Sequence, residues 1–128
     1  MGEYEDTLKD IEKSFGFVPG FMKALPKESL VNDWPLMKKY QLGESKIPKK
    51  YRELIGLAVA ANIKCPYCLL MHTAMATDFG ATGDEISEVA VLAGHTAKWS
   101  AMLHALQYNY DTFTKEVHQI HEYAKKKK

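Results

Sequence analysis

The chain has 128 residues, enough for one ordinary domain with a real core, and its 46% apolar and 26% charged content is that of a soluble globular protein. A formal charge of +1 gives no reason to expect nucleic acid, an acidic substrate or an anionic membrane. The opening residues, MGEYEDTLKD, are acidic and lack the apolar stretch of a signal peptide, and Asp6 stands where a myristoylation pattern wants Ser or Thr. The longest apolar run, Leu54 to Ile63, is too short to span a bilayer, so a cytoplasmic location is expected.

Helical periodicity runs through almost the whole chain. Tyr4, Leu8, Ile11 and Phe15 step by four, three and four, which puts one apolar stripe on a first helix. FGFVPG then breaks the pattern, and Phe21 to Leu25 reads as a short helical turn before Pro26. Glu28 to Leu42 forms a second helix that Pro35 kinks or divides and Gly43 ends. A third begins at Pro48 and runs to about Asn62. After a break at Asn62 to Pro66 a fourth reaches about Phe79, closed by Gly80. Thr82 and Glu85 make a capping box for a fifth helix, whose inner face would carry Ile86, Ala90, Ala93, Ala97 and Ala101. Gly94 within it suggests tight packing. A last helix spans about Asn109 to Lys125, and the terminal lysines read as a frayed tail over 124–128. No stretch alternates with the strand period and no internal repeat is visible. The fold class is therefore all-α: a single-domain bundle of about six helices over 1–128, with a core of chemistry over about 47–107.

That chemistry lies between Glu53 and His72. Two lone cysteines in a reducing compartment are seldom a structural staple, so Cys65-Pro66-Tyr67-Cys68 asks for a chemical explanation. A CxxC pair at a helix start can close a small disulfide ring, and the positive end of the helix favours thiolate. Cys65 should be the more exposed sulfur. His72 lies one turn after Cys68 on the same face, where an imidazole can take the thiol proton or stabilise the thiolate. If the third and fourth helices fold back at Asn62 to Lys64, Glu53 comes to face His72 and Leu57 comes to face Cys68. A carboxylate so placed orients the ring and supports its protonated form.

The pattern Glu53, eleven residues, Cys-x-x-Cys, three residues, His72, then Ala76 and Gly80, resembles the alkylhydroperoxidase D branch of the carboxymuconolactone decarboxylase family. FGFVPGFMKAL is similar to segments preceding this core in small members, so the likeness covers most of the chain. It implies a thiol-dependent peroxidase or disulfide oxidoreductase with Cys68 peroxidatic, Cys65 resolving, and Glu53 and His72 as proton relay. It also implies a trimer or hexamer and a lipoyl-bearing or thioredoxin-like protein as dithiol reductant. No cofactor is called for. The pattern departs from the hydroperoxidases at Tyr67, where they carry a histidine before the second cysteine; a phenol can line the site and hydrogen-bond but is a poor base near neutral pH. Trp34, Trp99, Tyr108 and Tyr110 are more large aromatics than a chain this size need bury, which supports a homo-oligomer.

Two other readings use the same residues. Cys65, Cys68 and His72, with Glu53, offer a ligand set for a zinc-binding module, although no matching second knuckle exists. A non-enzymatic redox-sensing oligomer could use the cysteines to switch assembly. His104 reads as a core or interface histidine, and His95, His118 and His121 as surface residues.

Overall fold

The computed structural model describes residues 2–127 and, among them, contains helices and connecting turns with no strand. Met1 and Lys128, and with them the expectations about the initiating methionine and the final tail residue, lie outside the described residues. In chain order the helices are α1 (Glu3–Phe15), α2 (Gly20–Lys23), α3 (Lys27–Met37), a π-helical segment (Lys38–Leu42), α4 (Lys49–Ile63), α5 (Pro66–Asp78), α6 (Gly83–Ala105) and α7 (Tyr110–Lys126).

The expected stripe of α1 forms one core. Ile11 is fully buried with Met22, Leu30 and Trp34, and Tyr4, Leu8 and Phe15 pack around them. Trp34 is 3% exposed, so it belongs to this core and not to the surplus aromatic surface. Its indole N–H donates to Asp10 Oδ2 at 2.8 Å, and Lys38 Nζ reaches the same carboxylate at 2.9 Å. Those two hydrogen bonds, Lys38 first, hold the Asp10 carboxyl below the ordinary aspartate value of 3.8.

Pro35 neither ends nor divides α3. The helix passes through it to Met37, and the backbone then widens into the π-helical segment, closed by Gly43 N donating to Lys38 O at 2.7 Å. Proline supplies no N–H to the carbonyl a turn earlier, and a single π turn is a common way for a helix to absorb such a fault.

The second packing unit is the α4–α5 hairpin with α6 across α4. Lys64, in the left-handed region at φ 60°, turns the chain between α4 and α5. Leu57, Ala60, Ala76, Ala81 and Ala93 are buried there, and the small side chains of the alanines let the helices approach closely. Thr82 and Glu85 form the expected capping box at 3.1 and 2.9 Å, and Lys50 from α4 holds Glu85 at 3.0 Å.

Apart from buried Ala93 and half-buried Ile86, the expected inner face of α6 is not inner. Ala90, Ala97 and Ala101 are exposed, and a Cβ placed on Gly94 would meet nothing within 4 Å. α7 extends to Lys126, so Lys125 and Lys126 are helical where a frayed end was expected, and no residue of α7 is buried.

Candidate redox site

Three side chains of the site come from the α4–α5 hairpin because its register is set by one short corner. Cys65 N donates to Ala60 O at 3.1 Å, closing the corner, and Pro66 starts α5 at the position where its missing N–H costs nothing. Cys65 is the N-cap: its Sγ accepts the backbone N–H of Cys68 at 3.1 Å. Cys65 and Cys68 are joined in a disulfide with Cα atoms 5.3 Å apart. Both are half-buried.

One turn along, His72 Nδ1 lies 2.8 Å from Glu53 Oε1. Glu53 is 2% exposed, the one charged side chain that is buried among the described residues. With Nδ1–H donated to the carboxylate, Nε2 is the nitrogen left to exchange a proton. A buried carboxylate that fixes the orientation of a histidine ring in this way leaves the far ring nitrogen free to give or take a proton.

Gly56 explains how the ring fits. A Cβ built there would sit 2.6 Å from His72 Cε1 and 2.7 Å from both ring nitrogens, so the imidazole lies flat against a helix backbone that only glycine leaves bare. The sequence reading missed Gly56. Its signal was a glycine in the middle of α4, one turn after Glu53, at a position where it weakens the helix by about 1 kcal/mol relative to alanine. Arg52 was missed as well. It reaches back from α4 to donate to the carbonyls of Tyr40 and Gly43, fixing the π-helical segment against the site, and its Nε is buried without a partner.

Glu53, His72 and Cys68 open onto one cavity of about 400 Å³. Its walls are mainly apolar, from Tyr40, Ile47, Ile55, Val59 and Ile63, with Gln41 and Ser45 as polar points. Tyr67 is 85% exposed and is not part of this lining. Among the described residues, no three His, Cys, Asp or Glu side chains are grouped so as to hold a metal ion, and the two sulfurs that a zinc site would need are bonded to each other. No described helix is long and apolar enough to cross a membrane.

Over 95 residues the chain is 30% identical to an alkyl hydroperoxide reductase of Mycobacterium tuberculosis, an alignment that takes in 73% of this chain. It takes in 26% of that protein, so the chain spans about a quarter of the length of this curated relative. The crystal structure of an alkylhydroperoxidase AhpD core from Rhodospirillum rubrum superposes with a TM-score of 0.75 at 30% identity, covering 88% of this chain and 85% of that one. Residues 30–109 match the carboxymuconolactone decarboxylase family, a stretch that contains the π-helical segment, the hairpin and all of α6. The chain belongs to the carboxymuconolactone decarboxylase family, on its alkylhydroperoxidase D-like branch.

Proposed function

We propose that the chain is a thiol peroxidase that reduces organic hydroperoxides through Cys68 and Cys65. The observation that carries this reading is one cavity shared by Cys68, half of a disulfide, and the buried Glu53–His72 pair. In the reduced protein the Cys68 thiolate attacks the terminal peroxide oxygen. The S–O bond forms as the O–O bond breaks, and the alkoxide leaves as alcohol with the proton that His72 holds. The Cys65 thiolate then attacks the sulfur of the Cys68 sulfenic acid, the disulfide forms, and hydroxide leaves as water. The disulfide-closed chain stands at the end of this sequence, and a dithiol protein, lipoyl-bearing or thioredoxin-like, returns two electrons and two protons.

Cavity shape supports the substrate class. A volume of about 400 Å³ with branched apolar walls has room for the hydrocarbon part of an organic hydroperoxide, and hydrogen peroxide would use little of it. Turnover of this kind needs a compartment that keeps thiols reduced, which supports a cytoplasmic location. The test is steady-state peroxide consumption with a dithiol reductant. Cys68→Ser is expected to abolish turnover, and Cys65→Ser to stop after one equivalent with an oxidised or mixed-disulfide species held at Cys68. Full turnover by Cys68→Ser would defeat the proposal.

A further inference from the structure

We infer that the cavity of the redox site takes hydroperoxides that also carry a carboxylate, with Arg52 as the counter-ion at one end and Cys68 partway along. The peroxide step rests on the peroxidase reading above, whereas the anion seat itself can be measured without turnover.

Arg52 carries more charge than its neighbours neutralise. Its guanidinium donates to the carbonyl oxygens of Tyr40 and Gly43, and its Nε is buried without a partner. Two acceptors thus serve a group with five N–H donors. Among the described residues, none of the ion pairs includes Arg52. The acid next to it, Glu53, is taken up by His72 at 2.8 Å. The two carbonyls lie at the end of the π-helical segment, where a helix dipole amounts to about half a negative elementary charge. Roughly half of the cation's charge is therefore left unmatched, in the wall of a cavity that is otherwise mainly apolar. A half-buried charge is costly in such a wall until an anion meets it, and the planar fork of Arg suits a carboxylate.

Register places the reacting sulfur between that cation and an apolar end. Arg52, Ile55, Gly56, Val59 and Ile63 share the cavity face of α4, at helical spacing. In the hairpin, Glu53 meets His72 and the Cys65 N–H meets the Ala60 carbonyl, two contacts of one antiparallel register that sets Cys68 level with Leu57. From that level to Arg52 is about 7.5 Å along the helix, at 1.5 Å per residue. In the other direction Val59 and Ile63 carry the apolar wall past the sulfur. Gln41 and Ser45, the polar points of the lining, flank the segment whose carbonyls Arg52 holds. The occupant that fits is a carboxylic acid with its hydroperoxide partway along a hydrocarbon chain. Its carboxylate sits at Arg52, its peroxide at Cys68, and the rest of its chain against Val59 and Ile63. A phospholipid hydroperoxide, with two chains and a large headgroup, is too big for about 400 Å³. The redox balance is that of the proposed reaction: hydroperoxide becomes alcohol and water as two thiols become the disulfide, and the carboxylate takes no part in it.

Calorimetric titration of the native, disulfide-closed chain with octanoate and with octanol tests the seat. Octanoate is expected to bind about tenfold more tightly, with an advantage that shrinks as salt is raised. Arg52→Gln should erase that preference by weakening octanoate alone. Arg52→Lys, which keeps the charge and loses the fork, decides the matter if Arg52→Gln does not fold: it should weaken octanoate more than octanol. Equal binding of the two ligands by the native chain, or variants that weaken both ligands alike, would overturn the inference and leave Arg52 as a brace for the π-helical segment. In turnover, a fatty-acid hydroperoxide should show a kcat/KM about tenfold above that of its methyl ester, and Arg52→Gln should raise KM for the acid far more than for the ester. Selective octanoate binding without peroxide consumption would defeat the peroxidase reading and uphold the seat; peroxide consumption with no preference for the acid would defeat the seat alone.

Discussion

Gly56 and Glu53 differ in how they serve His72, and substitutions separate the two roles. Gly56→Ala gains up to about 1 kcal/mol of helix propensity, so the fold should hold. The added methyl must nonetheless push the imidazole out of its place against α4. We expect Gly56→Ala to slow hydroperoxide-driven oxidation of Cys68 at least tenfold while thermal stability changes little. Unchanged kinetics would mean the ring is free to sit elsewhere. Glu53→Gln keeps size and one acceptor but removes the buried carboxylate that meets His72 Nδ1 at 2.8 Å. On the scale of general acid–base effects its rate should fall by about 10², again without unfolding. At this scale the sequence was informative where residue spacing implied contact: the hairpin register set Glu53 against His72, and they stand 2.8 Å apart. It was silent on which sulfur the helix end would serve. Cys65, not Cys68, accepts the first-turn N–H, which follows from Cys65 being the N-cap, a property of backbone angles that spacing alone does not disclose.

Between elements, the hydrogen bonds that join α1 to α3 make the N-terminal core sensitive to acid. Asp10 holds the indole of buried Trp34 and the ammonium of Lys38, and its folded pKa is lowered, chiefly by Lys38 and then by Trp34. A group of this kind adds stability above its unfolded value, and that stability is lost as pH falls through the lower folded value. Thermal unfolding followed by Trp fluorescence should therefore show a loss that begins near pH 4 and is absent in Asp10→Asn, which has no charge to lose. Asp10→Ala should cost about 1–3 kcal/mol, because it leaves a buried indole N–H without a partner. A flat pH response in the native chain would remove Asp10 from this role. Element order was legible from periodicity and from punctuation by Gly, Pro and the Thr82–Glu85 capping box. The π-helical segment was not, since widening of a helix after Pro35 is one of several outcomes that leave the same pattern in the sequence.

Across the whole molecule, the α4–α5 hairpin is packed around the candidate site, whereas no residue of α7 is buried. Sequence alone put the alanines of α6 inside, because small residues at helical spacing read as a packing face wherever the other side of the contact comes from. Ala93 is buried as that reading has it, whereas Ala90, Ala97 and Ala101 are exposed. The four large aromatics divide in the same way: Trp34 closes the N-terminal core, whereas Trp99, Tyr108 and Tyr110 gather around the α6–α7 cleft.

The proposed function turns on a single sulfur, Cys68, and on the Glu53–His72 pair that shares its cavity. Rapid mixing of the reduced Cys65→Ser chain with an organic hydroperoxide, followed by trapping of sulfenic acid and its location by mass spectrometry, measures that directly. The account predicts sulfenic acid on Cys68, formed at least 10²-fold faster than on glutathione and slowed by Glu53→Gln. Oxidation at the rate of an ordinary free thiol, indifferent to Glu53, would contradict it.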